Sequence, residues 1–303
     1  MNKISAVITC FNEEKKIKDC LESVLWADEI ILVDNSSKDK TVEIVKKYTK
    51  NIFNQENDPG AIDILKNFGF SKASSEWILS LDADERVTPE LRKEIESTIN
   101  NQQSAINGYW IPRKNIIFGK WIEHTGWYPD FQLRLFRKGR GKFIKKHFHE
   151  MLELNGKTEN LNSNLLHYNY ESVLQFLNRH ANIYAQNEVE NILEKGYIFN
   201  YLDAIRFPFN EFLSRFFKRE GYKDGIHGLV LSLLMAFYHL IIFSLIWEKE
   251  KFKELEKENI LKATENEFRK ECKDIGFWFL NEKIKQTGNL FSKFRLKVKR
   301  KFF

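Results

Sequence analysis

Apolar runs of two different periods alternate through the first hundred residues. Residues 4–10 (ISAVITC) and 29–34 (EIILVD) read as strands, and between them Ile17, Cys20, Leu21, Val24 and Leu25 recur at helical spacing. A Ser/Asp-rich turn follows in SSKDKTVEIVKKY, then a second helix with Val42, Val45 and Tyr48 along one face. After Gly60 a further helical stretch (Ile62, Leu65, Phe68, Phe70, Ala73) leads into the strand WILSLDAD. TPELRKEIESTI resumes as a helix, with Thr88 at the N-cap and Pro89 at the first helical position. Strands and helices in this alternation predict an α/β domain with a mostly parallel sheet flanked by helices. Its ligands then belong beyond the carboxyl ends of the strands, where Asp34, Asp82 and Asp84 fall.

The middle of the chain, GYWIPRKNIIFGKWIEHTGWYPDFQLRLFRKGRGKFIKKHFHEMLEL, is aromatic, basic and strand-like, and helical periodicity returns in SVLQFLNRHANIYAQNEVENILEKG. Residues 228–247 are apolar on every face apart from His239 and a few hydroxyls, long enough to span a hydrocarbon core at ~1.5 Å per residue. A buried or dimer-forming helix would read the same way. The expected division is a catalytic domain over 1–200 and a helical C-terminal region over 201–303 that associates with a membrane.

With 303 residues and 43% hydrophobic content, the chain can bury a sizeable core. Cys10, Cys20 and Cys272 give neither a disulfide framework nor zinc-ligand spacing, so a reducing compartment is expected, and the N-terminal apolar stretch is too short for an export signal. The net charge of +6 is uneven: Lys293, Arg295, Lys297, Lys299, Arg300 and Lys301 follow one another without an acid, which favours an anionic surface. Nucleic acid is not expected as the partner, because the tail's aromatics are not interleaved through an RNA-binding motif.

The pattern lacks G-x-G-x-x-G, a phosphate loop of the G-x-x-x-x-G-K type and G-x-S-x-G. What remains is an acidic pair, Asp82 and Asp84, at the end of a buried strand, where oxygen ligands can hold Mg²⁺ or Mn²⁺ while substrate phosphates complete the shell. His149 and His167 are further candidates for the metal or a phosphate. Arg134, Arg137 and Lys138 could offset diphosphate charge. Trp127 and Tyr128 offer aromatic faces on which a ligand could stack.

ISAVITCFNEEKKIKDCLESV, IILVDNSSKDKTVEI and WILSLDADERV, in that order and spacing, resemble the nucleotide-binding half of family 2 glycosyltransferases with the GT-A fold. GWYPDFQLRLFRKG, FHEML and LLHYNY resemble the branch containing the lipopolysaccharide core β-1,4-glucosyltransferases, and the likeness extends more loosely through GYKDGIHGL. The resemblance implies that Thr9, Asn12 and Glu13 line a nucleotide pocket and that Asp34 contacts base or ribose. Lys66 and Asn67 then lie on the nucleotide side, Asp82 serves ribose or metal, and Asp84 serves the metal. Asn35 and Ser36 depart from the family, which more often has a glycine in that turn.

An inverting transfer needs a general base for the acceptor hydroxyl. Glu150 in FHEML is the first choice, about where the family's acidic base falls, and Asp130 is the rival. The implied activity is a metal-dependent transfer of a hexose, glucose from UDP-glucose, to a lipopolysaccharide-core or other lipid-linked glycan at the cytoplasmic face of the membrane. A sugar nucleotidyltransferase or a noncatalytic membrane-surface adaptor would use some of the same features.

Overall fold

The computed structural model describes residues 2–58, 63–101, 105–146, 149–254 and 260–300, and the side chains of 145–151 lie outside that description. The chain divides into two units, one of residues 1–121 and 127–171, the other of 122–126 and 172–303. Residue 200, where the sequence places the domain boundary, falls in the second of these units.

The first unit alternates strands and short helices: β1 (Ile4–Cys10), α1 (Ile17–Glu22), β2 (Glu29–Asp34), α2 (Thr41–Val45), β3 (Ile52–Asn54), α3 (Lys66–Lys72) and β4 (Trp77–Asp82). It continues with β5 (Glu85–Val87), α4 (Pro89–Ile99), β6 (Ile106–Ile117), β7 (Lys120–Trp121) and β8 (Asp130–Arg137). After these come β9 (Gly141–Lys146), β10 (His149–Leu154), β11 (Lys157–Asn160) and β12 (Leu165–Tyr170). The main sheet runs β3-β2-β1-β4-β8-β6-β12-β5, while β9 and β10 form a separate antiparallel pair. Pairings among β3, β2, β1 and β4 are parallel, and β8 enters antiparallel between β4 and β6. This is the mixed α/β, mostly parallel architecture expected from the sequence.

Both faces of the sheet are covered, which explains why β1 is buried along its whole length instead of alternating between buried and exposed positions. Ile4, Ala6, Ile8 and Cys10 join one core with Leu79, Leu81 and helix residues Ile17, Leu21 and Leu91. Val7, Ile31 and Ile78 point the other way, into a core with Phe70 and Phe136. On that second face α3 lies very close: a Cβ at Gly69 would stand 2.6 Å from Val7 Cγ1 and 2.8 Å from Val33 Cγ2. The helix expected after Gly60 is confined to Lys66–Lys72, and Ile62, assigned to it from the sequence, lies outside the described residues. Thr88 caps α4 as expected, its hydroxyl accepting from Leu91 N at 3.1 Å.

The second unit is helical: α5 (Val173–Arg179), a π-turn at His180–Tyr184, α6 (Ala185–Glu194), α7 (Asp203–Leu213), α8 (Ile226–Lys249), α9 (Ile260–Gln286) and α10 (Leu290–Arg300). The amphipathic stretch after Glu171 is thus two α-segments joined by a π-turn. His180 sits in that turn, buried, stacked on Phe176 at 3.9 Å and edge-on to Tyr238 at 5.0 Å.

GYKDGIHGL acquires a structural meaning here. Gly225 opens α8 at φ +68°, and a Cβ on Gly228 would come within 1.7 Å of Gly221 O, so only glycine allows the approach. Asp224 between them is buried and accepts from His124 N (2.9 Å), Glu123 N (3.3 Å) and Thr125 Oγ1 (3.1 Å), which fixes segment 122–126. An 18-residue window of helix α8 has a mean hydropathy of 2.4, and the helix is long enough to cross a membrane. Leu231, Met235, Ile242 and Ile246 on it are buried within the unit, while Leu233, Phe237, Leu240 and Trp247 are exposed.

Burial pushes the His180 pKa down to about 4. Below about pH 6.5 the unfolded chain binds a proton at this site that the folded chain does not, so stability should fall as the pH drops from about 6.5 to about 4. The loss should reach as much as about 3 kcal/mol. Urea unfolding of the wild type and of His180→Phe over that range should show the pH-dependent difference between them growing on acidification and staying flat above pH 7. Parallel curves would refute the assignment.

Candidate active site

The strand ends bring most of the sequence-predicted residues to one edge of the sheet. Register pairs Thr9 with Asp82 across β1 and β4, and Cys10 with Asp34 across β1 and β2. Thr9 Oγ1 is buried with no hydrogen-bond partner, a polar atom beside the acidic strand end.

Three carboxylates crowd the exit of β4, and most of the compensation comes from the protein's own cations. Asp82 Oδ1 meets Lys66 Nζ at 2.6 Å and its Oδ2 meets Arg134 Nη2 at 2.5 Å. Glu85, fully buried, accepts from Arg134 Nη2 at 2.7 Å and Arg113 Nη1 at 3.2 Å, while its other oxygen takes the backbone N–H of Asp82 at 2.9 Å. Arg113 also reaches Asp130 Oδ2 at 2.6 Å. Burial would raise the carboxyl pKa of Asp82, but the charges of Arg134 and Lys66 outweigh it and hold the group well below the usual range. Burial likewise opposes the charge on Lys66, yet Asp82 and Asp63 keep its pKa raised.

Asp84 differs: its neighbour is an imidazole, with His167 Nε2 at 3.6 Å from Oδ1. Hydrogen bonding fixes the ring. Asn115 Nδ2 donates to Trp127 O (2.8 Å) and to Asp130 Oδ2 (3.1 Å), both acceptors, so Asn115 Oδ1 must accept. It lies 2.7 Å from His167 Nδ1, which therefore carries a proton and turns Nε2 toward Asp84. A carboxylate oxygen and an imidazole Nε2 3.6 Å apart could serve as two ligands of one divalent cation, and the Asn115 contact is the second-layer support such ligands need. Among the described residues no group of three or more His, Cys, Asp or Glu gathers to hold a metal. Two protein ligands fit a cation whose remaining positions go to phosphate and water.

Other predicted residues have structural engagements. Asp34 is buried and accepts from Ser37 N at 3.1 Å, closing the turn after β2. Asn12, at φ 55°, accepts from Lys38 N at 2.8 Å, and Glu13 N donates to Thr41 Oγ1 at 2.8 Å, so the loops after β1 and β2 are fastened together. Asn67 uses both ends of its amide on the backbone of Phe143, at 2.8 Å each, and so joins α3 to β9. Asp130 is tied to Arg113, Asn115 and Gln132, and although burial opposes it these partners lower its pKa, which makes it a weak proton acceptor. Trp127 and Tyr128 are half-buried, Trp127 edge-on to Tyr170 and Tyr128 edge-on to Trp121. Glu150 lies on β10, opposite Lys145 in the register, with its side chain outside the described residues, as is that of His149.

The basic residues of β8 need correction. Because β8 runs antiparallel to β4, Arg137 pairs with Trp77 at the start of that strand, bonds Glu76 and covers the Trp77 ring. Five residues of strand, roughly 16 Å, separate it from Asp82. Lys138 N donates to Glu76 O at the same far end, so neither faces a diphosphate at the acidic edge. Arg134 is at the right end but buried against Asp82 and Glu85. Sequence reasoning missed Glu85, Arg113 and Asn115 as organising residues. The signal available was the two-residue spacing of Arg113 and Asn115 in β6, which puts both polar side chains on one face of the strand.

Glu85→Gln keeps the shape and removes the charge shared by two guanidinium groups, and should cost about 3–5 kcal/mol of unfolding free energy. Chemical denaturation checks this, and a cost below about 1 kcal/mol would remove Glu85 from its central place.

The family model for glycosyl transferase family 2 matches residues 5–154. An uncharacterized glycosyltransferase of Rickettsia typhi is 30% identical over 250 residues, covering 78% of this chain and 84% of its own. The lipopolysaccharide core biosynthesis glycosyltransferase LpsC of Rhizobium meliloti is 26% identical, covering 82% of this chain and 94% of its own. Among solved structures, S. aureus TarS 1–349 in complex with UDP aligns with a TM-score of 0.41 at 16% identity, over 84% of this chain and 93% of that one. A protein with a mostly parallel sheet, an acidic edge at its strand ends and these relatives belongs to glycosyl transferase family 2.

Proposed function

We propose that the protein transfers a hexose, with inversion, from a UDP-sugar to a lipopolysaccharide-core or other lipid-linked glycan at the cytoplasmic face of the membrane. UDP-glucose is the favoured donor. The observation that carries the reading is the divided acidic edge: Asp82 is balanced by Lys66 and Arg134 in direct ion pairs, whereas Asp84 faces the oriented imidazole of His167. The likeness to LpsC supports the acceptor class.

Asp84 and His167 would hold Mg²⁺ or Mn²⁺, which supplies charge stabilisation for the departing diphosphate. Lys66, Asp82 and Thr9 line the donor side, and the fastened loops of Asn12, Glu13 and Asp34 shape the nucleotide end. Glu150 takes the proton of the acceptor hydroxyl as that oxygen bonds to the anomeric carbon and the bond to the diphosphate breaks. Asp130, paired with Arg113, supports through Asn115 the orientation of His167, which favours Glu150 as the base with Asp130 as the rival.

Purified full-length protein with UDP-glucose, Mn²⁺ and a lipid-linked glycan extract should release UDP, and chelation should stop it. Asp84→Ala and Glu150→Gln should each reduce turnover at least about 100-fold. Full activity of either variant would remove that residue's role, and no nucleoside diphosphate release from any sugar nucleotide would defeat the reading. Asn115→Ala should weaken Mn²⁺ binding about ten- to a hundred-fold in the presence of UDP, read by electron paramagnetic resonance. Unchanged affinity would dismiss the orienting role.

A further inference from the structure

The most cationic helix of the chain presents its apolar side outward. At ~100° per residue, Leu290, Phe291, Phe294 and Val298 of α10 fall within about 100° of arc, and they are 83%, 79%, 67% and 42% exposed. Arg295 and Lys297 border that arc. The opposite side, with Lys293, Leu296 and Arg300, is the less exposed one and packs on α9. Arg300 fixes this orientation: its Nη1 donates to Asn281 Oδ1 at 2.6 Å, and its guanidinium lies 5.4 Å from the Phe277 ring centroid. A soluble helix normally turns the apolar face to its own protein.

We propose that α10 lies in the plane of a membrane surface, with Leu290, Phe291, Phe294 and Val298 below the headgroups and its cations on anionic phosphates. Residues 290–300 contain five Lys or Arg and no acid, which matches an anionic leaflet and opposes a second copy of the same face. An apolar patch of this kind has no counterpart on a nucleic-acid backbone. The proposal assigns the first membrane contact to α10 rather than to α8, much of which is engaged inside its unit. It deepens the location given under the proposed function but does not need the transfer chemistry, since binding is read without donor or acceptor.

Full-length protein should co-sediment with phosphatidylcholine vesicles carrying about one third phosphatidylglycerol and far less with phosphatidylcholine alone. Raising salt from about 0.1 M to 1 M, which shortens screening from ~10 Å to ~3 Å, should release it. The exposed positions tolerate substitution, so Phe291→Asp with Phe294→Asp should keep the helical circular dichroism and lose about 100-fold in vesicle affinity. Arg295→Gln with Lys297→Gln should lose about 30-fold, at about five-fold per charge. Equal binding to both vesicle types, unaltered binding of the first double variant, or retention after alkaline carbonate that assigns the contact to α8 would each overturn the proposal. So would a double variant whose only change is loss of a dimer in light scattering, which would name a second copy as the occupant.

Discussion

Glu85 is the residue on which the acidic edge rests. A fully buried carboxylate is tolerable only when its charge is met, and Glu85 is met by two guanidinium groups from different strands together with the backbone N–H that begins its own turn. Arg134 carries the compensation on to Asp82, and Arg113 carries it to Asp130. Residues of β4, β6 and β8 are thereby held together by ion pairs, with Asp82, Glu85 and Asp130 each met by a cation of the protein itself.

The two ends of β8 show how direction in a sheet separates electrostatic tasks. Arg134 and Arg137 are three residues apart in a basic run that looks uniform in sequence. One is buried in the acidic network and the other covers a tryptophan at the far end of the neighbouring strand. Such a difference follows from antiparallel pairing alone. It also accounts for the scarcity of free positive charge at the acidic edge, since the cations closest to it are already committed to carboxylates.

Much of the architecture was legible along the chain. Mainly apolar runs at β1, β2 and β4 read as doubly covered strands, and Thr88-Pro89 marked a helix start that the hydrogen bond to Leu91 realises. The carboxylates at strand ends were legible for the same reason: a strand that stops in acids exposes them at one edge. What could not be read was pairing across long separations. The union of Glu85 with Arg113 and Arg134, and of His167 with Asn115, depends on sheet order, which leaves no trace in local periodicity. The engagement of Asn67 with Phe143 is of the same kind.

That Asn67 contact has a mechanical side. Residue 66 sits against Asp82 at the sheet edge, while its immediate neighbour grips the backbone of β9, the strand paired with the one that bears Glu150. Helix α3, pressed on the sheet at Gly69, therefore ties the acidic edge to the β9–β10 pair through two adjacent residues, and one short helix sets the spacing between them.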